Sequence, residues 1–367
     1  RKNVMGLIIF CITVGIAFMF TYYQNLRKEI SARQKWLETV LTGEKKWILE
    51  NQGPEGEIYM NGSKAGDVNP YFACVAALGL LTETKNCPMT ETEKKAVGRY
   101  LDWHTGILLE TDGKMGIYRK ESGKLIYKEK ADSEDGYLGM YLFLMGKYLE
   151  KTESTDLPEY WKKGISLALK KIQSLMQDGI TQVSEENTTA YLMDNLEVWK
   201  GLYELELAGL EDTQTISEIR KKIQEQIEKT FWDDANQRWR IIGNSNLYHR
   251  TEFYPDGVAQ IYPLIYEFPV KEKKKQKILY DQFTEKFQWQ KLNKKRTGFL
   301  WAMTGMAAAQ MGDINNLVEL IGNYETEYCE NRKYPLYTGE AGWICMECGK
   351  LYGLYERKIK TGFILCA

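Results

Sequence analysis

The feature that most constrains this chain is an alternation between two kinds of helical segment. From Ser31 onward the pattern is helical almost throughout, with Pro and Gly punctuating it at short intervals. Reading the segments gives twelve helices, at about 31–52, 70–84, 91–107, 134–152, 157–176, 188–210, 215–230, 256–268, 272–286, 298–311, 313–325 and 339–356. Every second one is small-residue-rich or apolar on most sides, as in Tyr71-Phe72-Ala73-Cys74-Val75-Ala76-Ala77-Leu78-Gly79. The intervening ones carry a charged face, as in Ser217 to Lys229. A helix that is apolar all round is buried, and one with a polar face sits outside. Six inner and six outer helices in alternation predict an all-α fold, an (α/α)₆ barrel. A solenoid is the rival, but no fixed-period repeat runs through the sequence. Strand-like alternation is confined to Gly116–Tyr127 and Trp239–Ile242, which read as hairpins in loops.

Ahead of this body, Val4 to Phe20 is unbroken apolar sequence apart from Thr13, followed by Tyr22 and Tyr23. That length crosses the hydrocarbon of a bilayer, and the tyrosines suit its interface. No small-residue cleavage site follows, so the segment predicts one uncleaved transmembrane helix. The expected organisation is an anchor and juxtamembrane segment over 1–30 and a barrel domain over 31–367. Basic residues flank the anchor on both sides, so charge does not orient it. The expectation is a single-pass protein of the cell membrane, monomeric, with its body outside the cytoplasm.

Composition removes several chemistries. The formal net charge is -1, with 49 basic and 50 acidic residues, so no basic surface points to nucleic acid. The basic run Lys271–Lys277 reads as a solvated face. Only His104 and His249 are present, which excludes a three-His zinc site. No nucleophile elbow or Gly-rich phosphate loop occurs, and neither metal nor cofactor is expected. Cys345 and Cys348 form a single C-x-x-C that reads as small buried side chains. What the chain has in surplus is aromatic: 24 Tyr and 10 Trp, suited to stacking against sugar rings.

In a ring of alternating helices the inner ones all run one way, so their starts meet at one rim. Those starts hold Glu57 and Asp67 before Asn69-Pro70-Tyr71, then Asp132-Ser133-Glu134-Asp135-Gly136-Tyr137, then Tyr191 to Asn195 with Glu197 one turn on. They continue with Tyr254-Pro255-Asp256-Gly257, Thr297 to Trp301, and Tyr337-Thr338-Gly339-Glu340-Ala341-Gly342-Trp343. Asp, Ser and Thr at such positions are also ordinary N-caps. Caps do not require tyrosine beside them, and five of the six starts have it. Carboxylates and aromatics at one rim suit glycosidic hydrolysis, which needs one protonated carboxyl for the leaving oxygen and a second carboxylate for water or direct attack. The expected ligand is an oligo- or polysaccharide.

At these residues the sequence resembles the six-hairpin glycosidases, and in particular the clan of glycoside hydrolase families 8, 48 and 126. Gly66-Asp67-Val68-Asn69-Pro70-Tyr71 is similar to the family 8 motif S-E-G-x-x-Y-G-M, with Asp67 at the position of the general acid. Glu57 is the nearby alternative. Ala131-Asp132-Ser133-Glu134-Asp135 resembles the D-A-D-L segment that holds the sugar, and Tyr254 to Pro263 resembles the segment that carries the base, matched by Asp256. The resemblance implies an inverting hydrolase. Glu57 or Asp67 would be the acid and Asp256 the base, with Asp132, Asp135 and Asp194 positioning sugar or water. Tyr71, Tyr137, Tyr191, Tyr254, Trp301 and Trp343 would be stacking platforms. The motif glycines and the motif arginine are absent, which leaves open a non-catalytic carbohydrate-binding or polysaccharide-assembly protein. A lyase would draw on Tyr248-His249-Arg250.

Overall fold

A computed structural model describes residues 2–62, 66–122, 124–154, 156–210, 213–243, 245, 252–292 and 298–366, with the side chains of 2–9, 11, 12 and 362–366 also outside the description. It contains twelve α-helices among the described residues. They are α1 (Lys2–Glu50), α2 (Pro70–Leu80), α3 (Glu91–Glu110), α4 (Glu134–Thr152), α5 (Glu159–Leu175) and α6 (Leu192–Leu207). The second half supplies α7 (Thr213–Phe231), α8 (Val258–Ile265), α9 (Lys273–Phe287), α10 (Thr304–Met311), α11 (Ile314–Tyr324) and α12 (Thr338–Cys366).

The even-numbered helices close a ring. α2 packs on α4, α4 on α6, α6 on α8, α8 on α10, α10 on α12, and α12 returns to α2. The odd-numbered helices pack outside: α1 against α12 and α2, α3 against α2 and α4, α5 against α4, α7 against α6, α9 against α8, and α11 against α10 and α12. Burial follows the same division. In α4 every residue from Glu134 to Gly146 is buried, whereas α7 buries a stripe of Ile216, Ile219, Ile223 and Ile227. The apolar-all-round segments are therefore the inner wall, as their composition requires.

Glycines set how closely the inner helices approach. A Cβ on Gly201 of α6 would lie 2.2 Å from the carbonyl oxygen of Gly139 in α4, and one on Gly342 of α12 would lie 2.2 Å from that of Val75 in α2. Backbones meet directly at both places; the first contact draws α4 and α6 together and the second draws α12 to α2. The helix starts are capped as the sequence predicts. The Asn69 side chain accepts from the Tyr71 amide with Pro70 at the first helical position, Ser133 accepts from Gly136, and Thr90 and Glu93 form a capping box.

Three differences from the sequence reading matter. First, α1 is one continuous helix from Lys2 to Glu50, so the expected boundary at residue 30 falls inside it. Phe18 and Tyr22 are exposed, and contact with the body begins near Leu26 and Ile30. Among the described residues no helix is long and apolar enough to cross a membrane; many residues of the Val4–Phe20 run lie outside the described side chains. Second, α10 begins at Thr304 rather than 298, because Gly298 and Trp301 adopt left-handed backbone angles (φ 79° and 59°). Third, α8 is preceded by a π-helical turn, Phe253–Gly257. The hairpin expected over Gly116–Tyr127 is present, whereas the one expected over Trp239–Ile242 lies earlier, over 232–239, and Ile242 makes only an isolated bridge to Tyr191. β1 (Asp67–Val68), β2 (Gly116–Glu121) and β3 (Lys124–Lys130) form an antiparallel sheet beside the rim, β4 (Met176–Gln177) pairs with β5 (Ile180–Thr181), and β6 (Trp232–Asp233) pairs with β7 (Arg238–Trp239).

Candidate active site

Four carboxylates converge at the adjoining starts of α4 and α6. Asp135 is fully buried: its Oδ1 accepts from the Ser133 hydroxyl at 2.8 Å and the Gly136 amide at 3.0 Å, and its Oδ2 from the Thr181 hydroxyl at 2.6 Å. Burial raises its pKa to about 6 against the pull of those hydrogen bonds. Glu197, one turn into α6, is also buried. Its Oε1 accepts from the hydroxyls of Tyr71 and Tyr262, each at 2.6 Å, and of Tyr266 at 3.4 Å. Burial drives its pKa up to about 7; the Tyr262 and Tyr71 hydroxyls oppose the rise, while the charges of Asp135 and Asp132 add to it. Asp194 is half-buried and Asp132 exposed, so these two face the opening. The Asp194 pKa is pushed well above its ordinary value by burial and then by the charges of Asp135 and Glu197.

Gly136 makes this crowding feasible. A Cβ there would lie 2.6 Å from Glu197 Oε2, 2.8 Å from Ser133 Oγ and 3.6 Å from Asp194 Oδ1. Several like charges in a site this dry do not all ionise at neutral pH, so the cluster retains protons. It holds the two states that acid–base chemistry needs side by side, a protonated carboxyl and an ionised one.

The opposite side of the opening is aromatic. Tyr254, 42% exposed, packs over Trp301 with ring centroids 4.7 Å apart. Burial, then the charges of Asp194 and Asp132, push the Tyr254 hydroxyl up to about 12, so it is a neutral donor beside the carboxylates. From Trp301 the aromatics continue to Phe299 at 6.2 Å, to Phe72 stacked on Phe299 at 5.6 Å, and to Tyr337 at 6.2 Å from Phe72. All are partly exposed, forming one arc around the mouth.

The remaining candidates separate from this cluster. Asp67 lies on β1, where Arg119 Nε and Lys128 Nζ each approach it at 2.7 Å. Burial pushes its pKa up, but the two cationic hydrogen bonds outweigh that and hold it below the ordinary value. Such a carboxyl is an anion, the opposite of a proton donor. Glu57 is buried in the loop after α1, accepting from the Tyr59 hydroxyl at 2.8 Å and the Glu55 amide at 3.0 Å. Asp256 is buried toward the outer layer. It pairs with Arg238 at 3.7 Å and lines a cavity of about 250 Å³ with Leu279, Phe283 and Phe287 of α9. Trp343 is buried behind Tyr266, and Tyr137 is buried against Tyr71, so neither presents a ring face to the opening. Tyr191 is half-buried and bridges to Ile242. Tyr248, His249, Arg250 and Thr297 lie outside the described residues. His104 is buried, with burial lowering its pKa to about 3. Cys74, Cys87, Cys329, Cys345 and Cys348 are free thiols. Among the described residues no group of three or more His, Cys, Asp or Glu side chains could hold a metal ion.

Glu197, Tyr262 and Tyr266 were not among the residues singled out as site residues by sequence, and Tyr71, expected as a stacking platform, instead donates its hydroxyl to Glu197. Two signals were available. Glu197 stands on a helix that is buried on nearly all sides, where a carboxylate must find partners. Tyr262 on α8 and Tyr266, the residue that caps it four positions on, share one face and supply them.

No protein-family model matches the chain, and no curated protein does. Solved structures do share the fold. A metal-independent α-mannosidase from Streptococcus pneumoniae, in a non-productive complex with α-1,6-mannobiose, superposes with a TM-score of 0.63 at 10% identity, over 90% of this chain and 97% of that one. A glycosidase variant superposes with a TM-score of 0.62 at 11% identity, over 88% of this chain and 99% of that one. A D-mannose isomerase superposes at 0.55 with 11% identity, over 86% and 97%. At such identity the likeness is one of fold, a helical framework on which glycosidases and a sugar isomerase are both built.

Proposed function

We propose that this protein is a glycoside hydrolase acting on an oligo- or polysaccharide at the starts of α4 and α6. The observation that carries the reading is the convergence of Asp132, Asp135, Asp194 and Glu197 opposite the Tyr254–Trp301 platform. Asp194 is the proton donor: it faces the opening and is kept protonated by burial and by Asp135 and Glu197. Asp132, the exposed carboxylate, activates water or attacks. Glu197 and Asp135 sit deeper and set the field. These assignments replace Glu57 or Asp67 as acid and Asp256 as base, because Asp67 is held as an anion, Glu57 is engaged by Tyr59, and Asp256 faces the outer layer. The fold shared with glycosidases, one of them holding a mannobiose, supports the sugar-directed reading. The family 8 resemblance implies inversion of the anomeric centre.

We further place the Val4–Phe20 run in the cell membrane with the body outside. α1 ends at the carboxylate rim, so the anchor leaves the body at the opposite end. At about 1.5 Å per residue, the thirty residues from Thr21 to Glu50 extend about 45 Å, and the opening faces away from the bilayer.

The test is turnover. The full chain is incubated with α-mannan and with α- and β-glucans, reading reducing ends together with absorbance from unsaturated products. Reducing ends without unsaturation, lost in Asp194→Asn, are expected. Unsaturated ends would replace hydrolysis by elimination. Binding without cleavage would replace it by a carbohydrate-binding role, the reading favoured by the engaged Glu57 and Asp67.

A further inference from the structure

We infer that Glu340 is a positioning residue that fixes the Trp301 platform at the mouth of the site; the sugar-binding part of this inference rests on the function proposed above. Trp301 has a left-handed backbone (φ 59°), a genuine outlier for a bulky side chain that persists only where the surroundings over-determine it. The surroundings do so from both sides. Glu340, in the first turn of α12, accepts three consecutive backbone N–H groups: Oε1 takes those of Leu300 at 3.0 Å and Trp301 at 3.1 Å, and Oε2 takes that of Ala302 at 2.9 Å. The Trp301 carbonyl in turn accepts from the Thr304 amide at 3.1 Å and the Thr304 hydroxyl at 2.8 Å.

A single carboxylate thus does what the first turn of a helix would otherwise do for these amides. It prevents α10 from beginning at residue 298 and turns the Trp301 ring out over Tyr254. Glu340 is 4% exposed and sits behind the loop, so it does not itself reach a ligand in the opening. Burial raises its pKa to about 7 while the three amides pull it down, which fits a carboxylate whose only task is to receive them.

The test has two readouts on the full chain. The first is the fluorine spectrum of protein carrying 5-fluorotryptophan, with the Trp301 resonance assigned by its loss in Trp301→Phe. Glu340→Ala is expected to shift or broaden the Trp301 resonance and leave that of Trp161, on the outer helix α5, in place. Glu340→Gln keeps the side-chain length and one acceptor oxygen, so its spectrum should fall between wild type and Glu340→Ala, and it remains informative if the alanine variant does not fold. Glu347→Gln, at another buried carboxyl of α12, should leave the Trp301 resonance unmoved. A Trp301 resonance unchanged in Glu340→Ala, or moved equally by Glu347→Gln, overturns the positioning role.

The second readout is calorimetric affinity for mannohexaose, maltohexaose and cellohexaose. Where wild type binds, Glu340→Ala should weaken affinity about tenfold, and any hydrolysis should lose in KM rather than kcat. A moved resonance with unchanged affinity keeps the clamp and removes Trp301 as a sugar platform. If wild type binds none of the three, the platform role is withdrawn, and the resonance alone decides the clamp.

Discussion

Replacing Tyr262 by Phe tests the electrostatic reasoning most directly, because it removes one oxygen and leaves the ring in place. Tyr262 and Tyr71 each donate to Glu197 Oε1 at 2.6 Å, and both bonds favour the ionised form of Glu197. A hydrogen bond to a charged group contributes about 1.5–3 kcal/mol. One pH unit corresponds to about 1.4 kcal/mol, so losing one donor should move the Glu197 titration upward by about one to two pH units from its present value near 7. Glu197 would then be mostly protonated at neutral pH. Its charge helps to raise the Asp194 pKa, so the Asp194 titration should move down as that of Glu197 moves up. Opposite movements of two neighbouring carboxyls are a signature that general loosening of the fold would not produce. Carbon-13 spectra of protein labelled at the Glu and Asp carboxyls, assigned with Glu197→Gln and Asp194→Asn, would follow both. A Glu197 titration that stays near 7 or falls would refute the reasoning, as would an Asp194 titration that rises with it.

Asp194→Asn should lower turnover at least ~100-fold, the usual contribution of a general acid, while oligosaccharide binding survives; retention of half the activity in a reducing-end assay would remove Asp194 from that role. Gly136→Ala puts a Cβ 2.6 Å from Glu197 Oε2 and should destabilise the protein by about 1–3 kcal/mol in chemical denaturation, whereas Gly43→Ala on α1, where nothing lies within 4 Å of the new Cβ, should be neutral or slightly stabilising. Melting temperature should peak near pH 5. Asp135, Glu197 and Glu340 have raised folded values of about 6, 7 and 7, so the stability they contribute is present below the unfolded carboxylate pKa and is lost as pH rises through those values. Asp67 and Glu267 are lowered, Glu267 to about 2, so their contribution is lost as pH falls through their folded values, and calorimetry from pH 3 to 8 should show both flanks.

The ring of helices was legible because burial writes itself into composition. A helix surrounded by others cannot carry a charged face, so the order of inner and outer segments can be read along the chain. What sequence did not show are features held by partners remote in the chain. α10 starts six residues later than its periodicity suggests because a carboxylate forty positions away captures its leading amides. Asp67 matches a motif position for an acid, yet Arg119 and Lys128 reach it from β2 and from β3, and nothing near Asp67 in the chain announces them. Asp256 matches a motif position for a base, yet the π-helical turn that carries it directs it toward α9.

The same distinction explains why Asp132, Asp135 and Asp194 were candidates by sequence and Glu197 was passed over. The first three occupy helix starts, and the barrel topology alone brings such starts to one rim. Glu197 reaches the cluster only because α4 and α6 touch backbone to backbone at Gly139 and Gly201, which brings the second turn of α6 against the first turn of α4 at Gly136. With larger residues at 139 and 201 the helices would stand further apart, and Asp194 and Glu197 of α6 would lose the approach to Asp135 of α4 that adds to both their pKa values. Close packing of small residues in the wall is therefore part of the chemistry at the rim. Gly201→Ala, whose Cβ would fall 2.2 Å from the Gly139 carbonyl oxygen, should lower the Asp194 titration as well as the stability. If it lowers stability alone, the spacing of α4 and α6 does not set the state of the acid.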